Sequence, residues 1–468
     1  MANRSKQPEP RSFEKNRTSE TVLQRITAIR APRKLRTLET ALLIFALAVG
    51  IIAVIIIDLT LQQRMTAALL PTGIPFIVAV FALHLLVRKI APDADPLIMP
   101  IAVMLNSIGV AMIYRIDLAN GTVGWDATSV RQLLWSTIAI VIAGGVLFIV
   151  KNHLVLYRYT YLFGLGALVL LLLPMLPFIG QEINGARVWI HIGTFSFQPG
   201  EIAKIFLAIF FAGYLVRNSD ALSMVGKKFM GIRFPRGRDL GPLLAFWLVA
   251  MSVLVFQRDL GTSLLYFGLF LSMLYLATGR IGWVVLGVGL FLVGGIAASQ
   301  TLSYVGRRFE NWLHPFNDPT DTGFQMVQGL FGMANGGMTG TGLGQGYPQD
   351  TPVAESDYIF PSIGEELGLI GLFVVLAAYL LLVGRALRIG FAGQDDFGKL
   401  LAAGFGFAIA LQVFVVVGGV TRVIPLTGLT APFLAAGGSS LVSNWIIVVL
   451  LLLLSNSVRN RPKLVIRS

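Results

Sequence analysis

The chain has 468 residues, of which 55% are hydrophobic and only 13% charged, with a formal net charge of +13 and no cysteine. Soluble globular proteins carry roughly 25% charged residues, so water is excluded as the solvent for most of this chain. The missing cysteines exclude a disulfide framework, a thiolate nucleophile and a zinc–thiolate site. The positive charge would suit nucleic acid in a soluble protein. Here an excess of Lys and Arg in cytoplasmic segments accounts for it, and no nucleic-acid partner is expected.

Residues 1–37 are polar and basic, too long for the n-region of a signal peptide, and read as a disordered cytoplasmic tail able to touch anionic headgroups. A spanning helix needs about 20 apolar residues. Such runs recur near 38–58, 70–87, 96–114, 132–150, 159–179, 198–216, 240–256, 261–279, 281–299, 359–384, 400–420 and 441–457. The expectation is therefore an all-α polytopic bundle over 38–457 with about twelve transmembrane helices, followed by a basic C-terminal segment, 458–468. With the N-terminus inside, 28 of the 37 Lys and Arg fall on inner segments and eight on outer ones. That asymmetry places both termini in the cytoplasm.

One connection is long. Residues 300–358 form a loop that this topology places outside, Gly-rich over 329–346. A dinucleotide-binding reading of those glycines fails, because no strand precedes them and they lie away from the cytoplasm.

Ionisable residues at membrane depth are expensive and point to function. Glu201 and Lys204 are spaced i, i+3 in the first turns of one span, share a helix face and can pair. Lys204 falls roughly 9 Å in from Gln198; a lysine snorkelling to the interface is the plain alternative. Asp259 occupies a short outer turn ahead of the next helix, where capping is its ordinary role. Asp318 and Asp321 lie early in the long loop, and Asp357, Glu365 and Glu366 open the helix after it, where loop solvation and helix-dipole matching are the ordinary readings. Together these residues place a polar site on the outer face. Carboxylates there suit a general base or a hard divalent cation, and Lys204 with Arg187 suits a phosphate-bearing substrate. The four histidines, His84, His153, His191 and His314, are scattered.

Five stretches then carry a resemblance, in one order over about 130–457. NGARVWIHIG (184–193) with QPGEIAKIFLAIFFAGYL (198–215), QRDLGT (257–262), HPFNDPTDTGFQMVQ (314–328), ESDYIFPSIGEELG (355–368) and PLTGLTAPFLAAGGSSLV (425–442) resemble the signatures of the SEDS family, the shape, elongation, division and sporulation proteins that include RodA and FtsW. The last motif and the basic tail look more like the RodA branch. The resemblance implies a peptidoglycan glycosyltransferase of the bacterial cytoplasmic membrane. It would polymerise lipid II on the outer face beside a class B penicillin-binding transpeptidase. Lipid II flippase and non-catalytic scaffold are the competing functions. The chain departs from the pattern at Gly200, where Ser is usual, at Arg258, where Pro is usual, at Asn317 and Thr320 around the aspartate, and ahead of Asp357, where His-Thr is missing. It also has two spans beyond the common ten, both N-terminal.

By that resemblance Asp318 aligns with the family's loop aspartate. It would act as general base on the acceptor hydroxyl in an inverting transfer, or ligate Mg²⁺ or Mn²⁺, with Asp321 as its neighbour and rival. Lys204, Arg187 or the cation would stabilise the leaving pyrophosphate, with Glu201 orienting Lys204.

Overall fold

The computed structural model describes residues 32–183, 185–192, 195–223, 225–229, 232–235 and 241–459. Residues 1–31 and 460–468, which hold most of the two basic terminal segments, lie outside the described residues. The helices in chain order are α1 (Pro32–Leu61), α2 (Leu70–Ile90), α3 (Ile98–Ala119), α4 (Thr128–Ile149), α5 (Leu154–Arg158), α6 (Thr160–Leu172), α7 (Pro199–Ser223), α8 (Gly241–Ser252), α9 (Leu260–Thr278), α10 (Ile281–Thr301), α11 (Ser303–Leu313), α12 (Phe324–Gly336), α13 (Ile359–Ala392), α14 (Asp396–Val420) and α15 (Gly438–Arg459).

Among the described residues, ten of these are long and apolar enough to cross a membrane. They make the chain a multi-pass membrane protein. The other two expected spans are shorter. Helix α6 passes into a 3-10 turn at Leu173–Met175 that contains Pro174, which lacks the N–H that would continue the helix. Helix α8 passes into a π-turn at Val253–Gln257 and stops at Arg258, which is left-handed at φ 55°. Proline, fixed near −65°, could not hold that turn, so the Arg258 departure reshapes the backbone beside Asp259.

Helix α3 is the most enclosed, with 89% of its apolar window buried, whereas α1 and α10 bury 28% each and turn Leu, Ile and Phe outward. Outward apolar side chains are what a helix at a lipid boundary requires. The helices of the centre approach closely: a Cβ on Gly109 of α3 would stand 2.3 Å from the Leu434 carbonyl oxygen. The segment 421–437 explains that contact. It is a loop folded into the bundle, with Phe433, Leu434 and Ala435 nearly inaccessible. Its carbonyls are met from several helices: Gln132 of α4 donates to Ala435 at 2.9 Å, Gln412 of α14 to Thr430 at 2.9 Å, and Tyr379 of α13 to Pro432.

Helix α1 begins at Pro32, inside the stretch expected as tail. Arg36 is the reason: it is buried, and it pairs with Glu39 and with the Ala94 carbonyl. Beside it Asp95 accepts from Arg459 at 2.7 Å and from Arg385 at 3.5 Å, which fastens α1, α13 and α15 at the end of the bundle opposite the long loop.

Two features depart from an all-α bundle. Strands β1 (Gly180–Ile183), β2 (Ala186–Ile192) and β3 (Phe195–Phe197) form an antiparallel sheet between α6 and α7. Strands β4 (Val225–Phe229) and β5 (Ile232–Pro235) form a hairpin between α7 and α8. In β2, Val188 and Ile190 are buried while Arg187 and His191 are exposed, the period of two that a half-buried strand requires. The long loop is also structured. It carries α11 and α12, and its glycines pack onto α13: Gly342 N–H donates to the Glu366 carbonyl at 3.0 Å and Thr341 N–H to that of Glu365 at 2.9 Å. Gly340, at φ 84°, leaves only 2.1 Å between a built Cβ and the Glu366 carbonyl oxygen, so no side chain fits. This packing, not a phosphate, accounts for the glycine-rich run.

Candidate active site

The residues singled out by sequence fall into four places, two of which are joined. The first is the start of α7. Gly200, the second residue of the helix, gives its carbonyl to the Tyr266 hydroxyl of α9 at 2.7 Å, and this sets α7 against α9. Glu201 and Lys204 then face inward. Lys204 Nζ donates to Glu201 Oε2 at 2.8 Å and to Gln412 Oε1 of α14 at 2.8 Å. Ser443 of α15 donates to the same Glu201 oxygen at 2.8 Å. Lys204 is 1% exposed and Gln412 and Ser443 are 0% exposed. A snorkelling lysine would reach the interface; this one points into the bundle and has a charged and a neutral partner.

The second place is the turn before α9. Asp259 caps that helix by accepting from Thr262 N–H at 3.0 Å and from the Thr262 hydroxyl. Burial pushes its carboxyl up, and Arg308 of α11 acts in the opposite direction. Asp357 is the companion. Burial raises its pKa to about 6, against the pull of the Ser356 hydroxyl and of Arg308, with Asp259 adding to the rise. Arg308 therefore sits in the field of both carboxylates, and its Nη1 donates to the Thr427 carbonyl at 3.1 Å. A Cβ on Gly428 would lie 3.7 Å from Asp357 Oδ2. The segment 427–430 thus joins the two places: Thr427 holds Arg308 and Thr430 holds Gln412, the partner of Lys204.

The third place is the turn of Asp318. Its Oδ2 accepts from Thr322 N–H at 3.2 Å and from the Thr322 hydroxyl at 3.1 Å, and Gly323 N–H closes the turn on its carbonyl at 2.9 Å. Thr322 is held in turn by Asn311 of α11, which donates to its carbonyl at 2.7 Å. Asn311 and Arg308 are i, i+3 neighbours on one helix, so α11 carries the Asp318 turn and the Arg308 contact together. The end of α11 is tied to segment 421–437, where Trp312 Nε1 donates to the Arg422 carbonyl at 2.9 Å. Asp318 is half-buried, and Asp321 is exposed. No group of three or more His, Asp or Glu side chains comes together among the described residues. The chain by itself supplies Asp318 as a single carboxylate, so a divalent cation there fits only with substrate oxygens completing its ligands.

The fourth place holds Glu365 and Glu366, for which helix-dipole matching is the ordinary reading; both are buried and bonded within the fold. Glu366 pairs with Arg115 of α3 and accepts from Gly344 N–H at 3.1 Å, and Glu365 accepts from Tyr347 N–H at 2.9 Å. Arg115 also reaches Gln349 and the Gly346 carbonyl. This is a bolt between α3, α13 and the glycine-rich segment. Arg187 is also displaced from its expected company. It lies on β2, exposed, 3.0 Å from Glu182, which also meets Arg258 at 3.4 Å.

The bolt yields an expected result. Arg115→Ala strands the Glu366 charge in the interior and should destabilise the fold by about 3–5 kcal/mol. The check is the unfolding temperature in detergent, with Arg115→Met/Glu366→Met recovering most of the loss. A single mutant that melts like the wild type would mean that Glu366 has another source of charge compensation.

Sequence reasoning missed Gln412, Ser443, Arg308 and Arg115. Gln412 was legible as a lone amide in an apolar span, and Ser443 adjoins the last motif. Arg308 and Arg115 look like ordinary loop-end cations until the fold turns them inward.

Comparison with known proteins gives three results. The profile of the cell cycle protein family FtsW/RodA/SpoVE matches residues 96–460, so α1 and α2 precede it. Peptidoglycan glycosyltransferase RodA of Mycobacterium tuberculosis (strain ATCC 25618 / H37Rv) is 43% identical over 446 residues, covering 94% of this chain and 95% of that protein. The probable peptidoglycan glycosyltransferase FtsW of Geobacter sp. (strain M18) is 35% identical over 371 residues, covering 78% of this chain and 97% of that one. Among solved structures, a chain from a peptidoglycan synthase complex that coordinates polymerization and crosslinking is 26% identical, covers 77% of this chain and 98% of its own length, and superposes with a TM-score of 0.58.

Proposed function

Since this chain belongs to the family of the cell cycle proteins FtsW, RodA and SpoVE, we propose that it is a RodA-type peptidoglycan glycosyltransferase that polymerises lipid II. The observation that carries the reading is the joining of Glu201–Lys204 and Asp259–Arg308–Asp357 through segment 427–430. Two families of charge on one end of an apolar bundle suit a substrate with a prenyl tail, a pyrophosphate and a sugar. Asp318 takes the proton of the acceptor hydroxyl as its oxygen attacks the anomeric carbon. The bond to the pyrophosphate oxygen breaks with inversion, and the prenyl pyrophosphate leaves. Lys204 and Arg308 supply positive charge for that leaving group, as preorganised cations. Lys204 is held for this by Glu201 and Gln412. Arg187 is a rim cation in this scheme. A divalent cation, when shared by Asp318 and the pyrophosphate, would add Lewis-acid stabilisation.

The protein sits in the bacterial cytoplasmic membrane, both termini inside, and works beside a class B penicillin-binding transpeptidase. A transporter would gather its polar groups near the midplane; here Glu201 and Lys204 lie in the first turns of a 25-residue helix. Incubating the purified protein with labelled lipid II, with and without the transpeptidase, tests the activity: no polymer in either arm would sink it. Orientation is tested separately. Thr339→Cys, at an exposed position of this cysteine-free chain, should react with an impermeant maleimide on cells whose outer layers admit it. Labelling only after lysis would invert the topology.

A pH dependence also follows. With its pKa at about 6, Asp357 takes up a proton as the pH falls through that value, and Arg308 loses one of its two counter-charges. Polymerisation is therefore expected to drop on the acid side near pH 6, with an inflection in kcat/KM that Asp357→Asn removes. An unchanged acid limb in that variant would take Asp357 out of the site.

A further inference from the structure

Helices α1 and α2 lie ahead of the family match at 96–460, so what they build lies outside the segment that the family profile covers. Between them and α3 and α4 lies a cavity of about 280 Å³ whose walls include Leu47, Val54, Ile77, Val110 and Leu133. Its one carboxylate is already satisfied: Asp58, buried, accepts from the Tyr114 hydroxyl at 2.6 Å and from Thr66 N–H at 2.7 Å. The wall is therefore apolar in effect. The rim carries Ile51, Met65, Leu70 and Ile74, which are 48%, 68%, 57% and 56% exposed on the lipid-facing side. Close by, in the α1–α2 linker, Arg64 is exposed and has no partner among the described residues.

We infer that this cavity binds one hydrocarbon chain of an anionic phospholipid from the adjoining leaflet, with its phosphate on Arg64. The exposed apolar rim of Ile51, Met65, Leu70 and Ile74 opens the cavity to the lipid chains around it. The apolar wall excludes a polar ligand, because a polar group there would lose its water with no hydrogen bond in return. Arg64 supplies the charge that prefers a phosphate.

Gly73 allows the test. It lines the cavity, and a Cβ there meets nothing within 4 Å, so a side chain can be added without a clash. The full-length protein is reconstituted in nanodiscs with a phosphatidylglycerol that carries a photoactivatable acyl chain, and adducts are mapped by mass spectrometry. Adducts should concentrate in the peptides spanning 47–77 and fall roughly tenfold in Gly73→Trp, the loss of burial of about two methylene groups. Arg64→Glu should lower labelling by phosphatidylglycerol more than by phosphatidylcholine. Melting temperature and glycan polymerisation should stay at wild-type values in the Gly73 variants, and Gly73→Leu, a smaller plug, carries the test if the Trp variant does not fold. Wild-type labelling spread evenly over the lipid-facing helices overturns the site. So does labelling that survives both plugs. Displacement of the phospholipid by equimolar undecaprenyl phosphate would assign the cavity to a prenyl chain and overturn the proposed occupant.

Discussion

Asp318→Asn is expected to lower glycan polymerisation by on the order of 10²-fold or more, the contribution of a positioned general base. The substitution keeps the shape of the side chain, and the amide oxygen can still accept from Thr322, the contact the carboxylate makes at 3.2 Å and 3.1 Å. The turn and its mounting on Asn311 should therefore survive, as should binding of the transpeptidase. What is lost is the proton acceptor, so kcat should fall more than lipid II binding weakens. Two further arms separate the alternatives. If Asp318 serves a cation shared with pyrophosphate, raising Mg²⁺ or Mn²⁺ should return part of the activity, because the amide remains a weak ligand; a missing base is not restored in this way. If the protein moves lipid II rather than polymerising it, Asp318→Asn should act on externally supplied lipid II as well as the wild type does. Full activity on that substrate, with Asp321 intact, would remove Asp318 from the mechanism. The exposure of Asp321 makes Asp321→Asn the matching control, with a small expected effect.

How far these sites were legible in the sequence depended on whether the information was local. The i, i+3 spacing of Glu201 and Lys204 is local, and so is the Asp259 cap, three residues before the Thr262 that it holds. Partners that arrive from distant helices leave no such trace. Gln412 meets Lys204 across 208 residues and Glu366 meets Arg115 across 251; a single sequence marks these residues only as polar groups at membrane depth. The burial of Glu365 and Glu366 was hidden for the same reason. Their position near a helix start fits dipole matching, and only the return of the glycine-rich segment shows that they are enclosed. Arg187 was assigned to substrate by its charge, but the antiparallel pairing of β1 with β2 brings Glu182 to it. The bundle itself was plain, because apolar run length is a strong signal. The two short helices were not: hydropathy averages over Pro174 and over the left-handed Arg258, and both act through the backbone.

Removal of the Lys204 ammonium is expected to abolish polymerisation, and it should also reveal how the interior charge is held. In Lys204→Ala the Glu201 carboxylate keeps only the Ser443 hydroxyl at 2.8 Å, and Gln412 loses the donor to its Oε1. An uncompensated charge in the bundle interior costs about 3–5 kcal/mol, so this variant should melt well below the wild type. In Glu201→Gln the Lys204 ammonium becomes the uncompensated charge, held only by the neutral acceptors of Gln412 and of the introduced amide, so stability should fall as well and activity should be impaired. The double variant Glu201→Leu/Lys204→Met separates the two roles. It removes both charges and restores apolar packing, and stability should return while activity stays absent. Recovery of both would make the pair a structural link between α7, α14 and α15. Recovery of stability alone would place Lys204 on the reacting substrate. A Lys204→Ala variant with wild-type turnover would overturn the assignment, because no other buried lysine among the described residues could replace its charge.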